Sequence, residues 1–268
     1  MNTIIKIAKF IIDARLLISF AAVALTLSTF RIFDTDFDWP VICLVFLSTI
    51  LAYTFPLFLK QASSKIKTGC FIAYFIASFT VVYLLTLSQN PYAWAFCALL
   101  CVITLFYYLP LPFTSFGTLR NIPYMKIFII SFSWTIATVC LPLLFEGNSI
   151  LNFPVLFLMI ERFLFILAIT IPFDVRDLKL DKEGGLLTIP SKIGMKKSLL
   201  LASFLLLAYL AISICHYGFS NIVFVRALCV LSVLILIQRI NRTRSTYYYT
   251  GLLDGSMIFQ SLLMHIMV

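Results

Sequence analysis

Three aspartates, Asp174, Asp177 and Asp181, stand at i, i+3 and i+7 in the stretch IPFDVRDLKLDKEGG. On a helix this spacing keeps them within an arc of roughly 60°. Arg176, Lys179 and Lys182 fall on the other side, so the carboxylates are expected to converge and not simply to pair with their basic neighbours. Converging carboxylates repel one another unless a cation neutralises them. Hard oxygen ligands suit Mg²⁺, which takes one or two carboxylates together with phosphate oxygens. The other reading of the same spacing is a solvated charge run in a loop.

Further charged residues stand inside apolar runs: Glu161, Arg162 and Asp254. A charge at membrane depth is costly and is expected to face a partner or a cavity. Glu161 and Arg162 are open to two readings, an interhelical ion pair or a cavity-lining site at which Glu161 handles a proton or the acceptor. Arg162 would lie roughly 22 Å from Asp177 along one helix, on a similar face. The seven cysteines lie within or beside apolar runs without metal spacing and read as small buried hydrophobes. His216 and His265 stand apart near expected helix ends and suggest no role.

The elements that must carry these residues are membrane helices. Hydrophobic residues make up 62% of the chain, charged residues 12%, and the mean hydropathy is +1.06, which is more apolar surface than a soluble 268-residue domain buries. Apolar runs of bilayer-spanning length recur throughout. Nine are expected, near 15–33, 39–59, 69–88, 91–110, 124–145, 153–173, 197–217, 221–238 and 252–268. The fold class is therefore all-α, a single transmembrane domain over residues 1–268 packed as a bundle. Residues 1–14, with Lys6, Lys9 and Asp13 spaced among isoleucines, read as an interfacial amphipathic helix without a cleavage site. Residues 174–196 read as a cytosolic loop carrying the three aspartates.

Seventeen of the 20 Lys and Arg residues fall in the N-terminus and the alternate loops at 60–68, 111–126, 174–197 and 238–246. Asp34, Asp36, Asp38 and Glu146 lie on the opposite side, with Arg31. This asymmetry places the N-terminus in the cytosol of a cell (inner) membrane protein and, after nine spans, the C-terminus outside. The net charge of +9 is then topology and contact with lipid headgroups, not a nucleic-acid footprint.

The DxxDxxxD cluster, the following Gly184-Gly185 and the turn Thr188-Ile189-Pro190, set after the sixth of nine spans, resemble the UbiA superfamily of intramembrane prenyltransferases. The resemblance extends over the whole chain in layout, with its specific residues concentrated in 171–194. A weaker match is FYYLPLPFTSFGTLRNIPYMK after the fourth span, with Tyr107 and Tyr108 at a helix end and Arg120 and Lys126 beyond. The resemblance implies a central lipid-open cavity, Asp174, Asp177 and Asp181 holding Mg²⁺ and a diphosphate, and Arg120 and Lys126 gripping diphosphate oxygens. Ordinary positive-inside charge with interfacial aromatics accounts equally for that second loop.

The family's first acidic motif, expected at the end of the second helix, is missing. The equivalent stretch AYTFPLFLKQ, residues 52–61, has no carboxylate, and none occurs between Asp38 and Glu146. One metal set with Lys60, Arg120 and Lys126 would have to stabilise the leaving diphosphate. The expectation is a Mg²⁺-dependent transfer from an isoprenyl diphosphate to a lipophilic, aromatic or quinone-precursor acceptor in the membrane. Hydrolysis or cyclisation without an acceptor is a variant of it. The alternative is a family member that binds or transports an isoprenoid lipid without turnover.

Overall fold

The computed structural model describes residues 15–61, 67–112, 117–241 and 244–268. The expected amphipathic helix at 1–14 and the side chain of Lys60 lie outside the described residues. The described chain is helical, without strands: α1 (Leu16–Phe33), α2 (Trp39–Gln61), α3 (Lys67–Thr86), α4 (Pro91–Tyr108), α5 (Met125–Phe145), α6 (Phe153–Glu183), the short α7 (Ile189–Ile193), α8 (Met195–Tyr217), α9 (Asn221–Gln238) and α10 (residues 246–267). Among the described residues seven of these, α1, α2, α4, α5, α6, α8 and α9, are long and apolar enough to cross a membrane. α3 is a 20-residue helix whose stretch Ile72–Thr86 is apolar among the described residues, and α10 is interrupted by a π-turn at Tyr249–Leu253. Large apolar side chains such as Phe75, Phe79, Leu200, Phe204 and Ile266 point outward, as lipid contact requires.

Side-chain caps fix several ends. Asn90 accepts from Tyr92 N, with Pro91 at the first position of α4, and Asn152 accepts from Val155 N at the start of α6. In α5 a π-turn at Ile136–Cys140 precedes Pro142. Proline has no N–H to offer the carbonyl four residues back, and Thr29 Oγ1 of α1 donates to that carbonyl, Thr138 O, at 2.7 Å. A backbone acceptor at membrane depth is thereby satisfied by a neighbouring helix.

The helices pack as an interrupted ring. α1 touches α2 and α10, α2 touches α3, α4 touches α5, and α5, α6, α8, α9 and α10 follow in sequence back to α1. The break lies between α3 and α4, which do not pack closely among the described residues. A cavity of about 520 Å³ opens there, walled by α2, α3, α4 and α5 with Ala22 of α1 at its back. The break joins it to the lipid. The other half of the bundle is packed solid around α6, where Phe165, Ile166, Ala168 and Ile171 are all buried.

Opposite the basic end, a second polar cluster sits in that solid half. Arg226 Nη1 of α9 donates to Glu161 Oε1 at 2.6 Å and to Ser213 Oγ of α8 at 2.7 Å, and Ser213 Oγ donates to the same carboxylate at 2.8 Å. Arg162 Nη2 donates to Leu25 O, Ser28 Oγ and Thr29 Oγ1 of α1 at 3.1 to 3.3 Å. Glu161 and Arg162 therefore lie away from the large cavity, beside a void of only about 10 Å³.

Candidate active site

Helix α6 runs unbroken to Glu183, so residues 174–183 of the expected loop are helix. Nothing in DVRDLKLDKE breaks a helix, and the polar residues simply carry it out of the apolar zone. It ends at Gly184, and Gly185 at φ +70° lets Leu186 N reach back to Asp181 O at 2.7 Å. The chain then enters α7, opened by Thr188, whose N–H donates to Ser191 Oγ at 2.9 Å. Tyr124 N donates to Leu187 O at 2.8 Å, and Lys192 Nζ sits 5.3 Å from the centre of the Tyr124 ring. These contacts hold the segment bearing Arg120 and Lys126 against the end of α6.

The carboxylates do converge, though not all three and not on one another. Lys126 Nζ lies 2.7 Å from Asp174 Oδ1 and 3.3 Å from Asp181 Oδ2, and Arg120 Nη2 lies 3.5 Å from Asp181 Oδ1. Asp174 and Asp181 are buried; Arg120 is partly open. Asp177 is drawn aside by Arg176, its neighbour in sequence, in a two-pronged pair at 2.7 and 2.9 Å. Arg176 is itself held over the rings of Phe173 and Tyr249, at 5.1 and 5.7 Å. The expectation that the basic neighbours face away is thus corrected at Arg176. Adjacent residues diverge by about 100° on a helix, but the long guanidinium reaches sideways across that gap.

Tyr107 and Tyr108 close α4 with their rings 5.0 Å apart, and Tyr108 packs on Phe55 of α2. Tyr107 is within electrostatic reach of Arg120, Asp174 and Tyr53, and Tyr53 lines the large cavity with its hydroxyl accepting from Trp134 Nε1 at 3.0 Å. None of Lys126, Arg120, Asp174 and Asp181 lines the cavity; the cluster lies beyond its basic end, where Tyr53 and Leu105 are the nearest lining residues on the tyrosine side.

Several residues of the arrangement escaped the sequence reading. Arg226, a lone arginine in NIVFVRALCV, carried the same signal as Arg162 and is the partner of Glu161. Arg15 precedes α1 and is close enough to Tyr53, Tyr108 and Asp254 for its charge to act on them. Its Nε and that of Arg120 are buried without a hydrogen-bond partner among the described residues. Free guanidinium donors of this kind suit an anion with several acceptor oxygens.

Among the described residues no three His, Cys, Asp or Glu side chains stand in metal-holding geometry. Asp174 and Asp181 alone share a cation position, the one Lys126 reaches. Two carboxylates fit a Mg²⁺ that takes the rest of its shell from diphosphate and water, and do not make a site for the bare ion.

No family model matches the chain, and no curated protein matches it in sequence. Among solved structures it is similar to a digeranylgeranylglyceryl phosphate synthase of membranes, at a TM-score of 0.60 and 17% identity, with 100% of this chain and 99% of that chain covered. Along its whole length, the chain shares the fold of that membrane synthase.

Proposed function

We propose that the protein is a prenyltransferase that takes an isoprenyl diphosphate at the basic end of the bundle and passes its prenyl group to a lipophilic acceptor entering from the membrane. The observation that carries this reading is the Lys126–Asp174–Asp181–Arg120 cluster beyond the basic end of an apolar cavity, in a chain that shares the fold of a membrane synthase acting on prenyl lipids. Positive-inside charge puts that end, where the diphosphate headgroup binds, in the cytosol and, for an odd number of spans, the C-terminus outside.

Asp174 and Asp181 would hold Mg²⁺ on the diphosphate, and Lys126 would move from the carboxylates to a phosphate oxygen. The ion, when bound, offsets charge on the leaving diphosphate. Arg120 and Arg15 offer the donors that stabilise the same charge as the C–O bond breaks. Tyr107 and Tyr53 flank the path between the diphosphate and the cavity, and the apolar walls keep water from the allylic carbocation-like centre. Asp177 orients Arg176 and does not touch the ion.

A second reading, binding without turnover, is favoured by the bare end of α2, where residues 52–61 supply no carboxylate for a second ion. Purified protein incubated with labelled prenyl diphosphates, Mg²⁺ and a panel of phenol, quinone and glycerol-lipid acceptors separates the two. Diphosphate release with a prenylated product, lost in Asp174→Asn, supports transfer. Mg²⁺-dependent binding with no release from any pair overturns it in favour of the second reading.

A further inference from the structure

The cavity has a definite height. Its lining on α2 runs from Leu44 to Phe55, on α3 from Tyr74 to Leu85, and on α4 from Trp94 to Leu105. Each interval corresponds to about 16 Å of helix at 1.5 Å per residue. Leu44, Leu85 and Trp94 mark one end, far from the aspartates, and Phe55, Tyr74 and Leu105 mark the other. The walls are almost wholly apolar, with alanines at Ala52, Ala98 and Ala137.

Resting on the function proposed above, we propose that this slot is a ruler for the prenyl chain and selects donors of three to four isoprene units. Volume and length agree. An apolar protein cavity of about 150 Å³ holds one six-carbon ring, so a cavity 3.5 times larger takes roughly 20 carbons. Three main-chain bonds of a peptide advance about 3.8 Å, so a four-bond isoprene unit advances about 5 Å, and the slot accepts roughly three to four of them. A chain of two units leaves much of the wall without contact. A chain of six or more has to leave through the break between α3 and α4 into lipid, where it gains nothing over the bilayer it came from.

The alanines are the marks on this ruler because their position decides where the chain stops. Ala98 lies about 10 Å along α4 from the Leu105 end, so a large side chain there leaves room for about two units. Ala137 lies on the π-turn of α5 and offers a second, independent place to shorten the slot. Ala52 lies close to the aspartate end, so filling it stops the chain near its first unit.

The test is competitive binding of inorganic diphosphate and of C10, C15, C20 and C30 prenyl diphosphates to the purified full chain in nanodiscs with Mg²⁺. Wild type and variants are compared ligand by ligand, so that partition into the bilayer cancels. The wild type is expected to favour C15 and C20. Ala98→Trp and Ala137→Phe are expected to weaken C20 by roughly tenfold or more while leaving C10 and inorganic diphosphate unchanged, as forced overpacking costs about 1–3 kcal/mol. Ala52→Phe is expected to weaken every prenyl ligand and spare inorganic diphosphate, which also reports that the variant is folded. A flat chain-length profile in the wild type, or profiles unmoved in both Ala98→Trp and Ala137→Phe, overturns the ruler and leaves the diphosphate site standing. No binding of inorganic diphosphate or of any prenyl diphosphate overturns the proposed function, and the ruler falls with it.

Discussion

Replacing Glu161 by leucine removes the one carboxylate that, among the described residues, faces two buried arginines. Arg226 keeps Ser213 Oγ and Tyr217 but no anion, and Arg162 stands close enough for the two positive charges to repel in a medium of low dielectric. Breaking a buried pair by removing one partner costs about 3–5 kcal/mol. At roughly 2–4 °C per kcal/mol for a chain of this size, the thermal midpoint should fall by about 6–20 °C. Arg226→Met alone should cost a similar amount, because Glu161 is then left buried with a serine. The double variant, Glu161→Leu with Arg226→Met, should recover most of the loss, since an apolar pair of similar volume is often neutral relative to a buried ion pair. The assay is unfolding in detergent followed by near-ultraviolet circular dichroism. Diphosphate binding to the surviving folded fraction should be unchanged, as Asp174 lies roughly 20 Å further along α6. Single variants within about 2 °C of wild type, or a double variant as unstable as the sum of its parents, would refute the reasoning.

Other expectations follow from individual contacts. Lys126→Met leaves Asp174 and Asp181 facing each other without their shared cation; diphosphate affinity should fall at least tenfold or so, and in its absence stability should fall by about 2–4 kcal/mol. Asp177→Asn should leave diphosphate affinity within roughly threefold of wild type, because Asp177 serves Arg176, whereas Asp174→Asn should not; calorimetry on both variants checks this. Thr29→Val strands the Thr138 carbonyl opposite Pro142 and should cost about 1–3 kcal/mol in thermal unfolding. Chelation of divalent ions should weaken prenyl diphosphate binding yet leave the thermal midpoint of the ligand-free protein unchanged, since two carboxylates already paired with Lys126 need no metal for folding.

The layout of the bundle was legible because lipid demands long apolar helices, and charged or turn-rich breaks separate them. The aspartate spacing was read on a helix, and α6 runs on through them to Glu183 and stops at Gly184. Other features leave no such pattern. The π-turns before Pro142 and Asp254 arise from packing and have no periodic signature. The cavity was illegible in position, since Ala98 or Leu44 facing a void reads the same as Phe75 facing lipid. The acidic cluster was singled out by its spacing, and Arg120 and Lys126 by the family resemblance of their loop. What spacing could not reveal was that Lys126 sits between two of the aspartates while Arg176 removes the third. That division depends on the side-chain reach of residues 48 and 1 positions away in sequence. Arg226 was readable in principle, as a single arginine in an apolar run asks for a partner wherever it occurs.

The most direct measurement is an experimental structure of the protein in lipid with Mg²⁺ and a non-hydrolysable C20 diphosphate analogue. The account predicts diphosphate density between Lys126 and Arg120, an ion held by Asp174 and Asp181, and the prenyl chain in the slot walled by α2 to α5. Diphosphate bound elsewhere, or Lys126 still seated between the two aspartates with the slot empty of ligand, would contradict it.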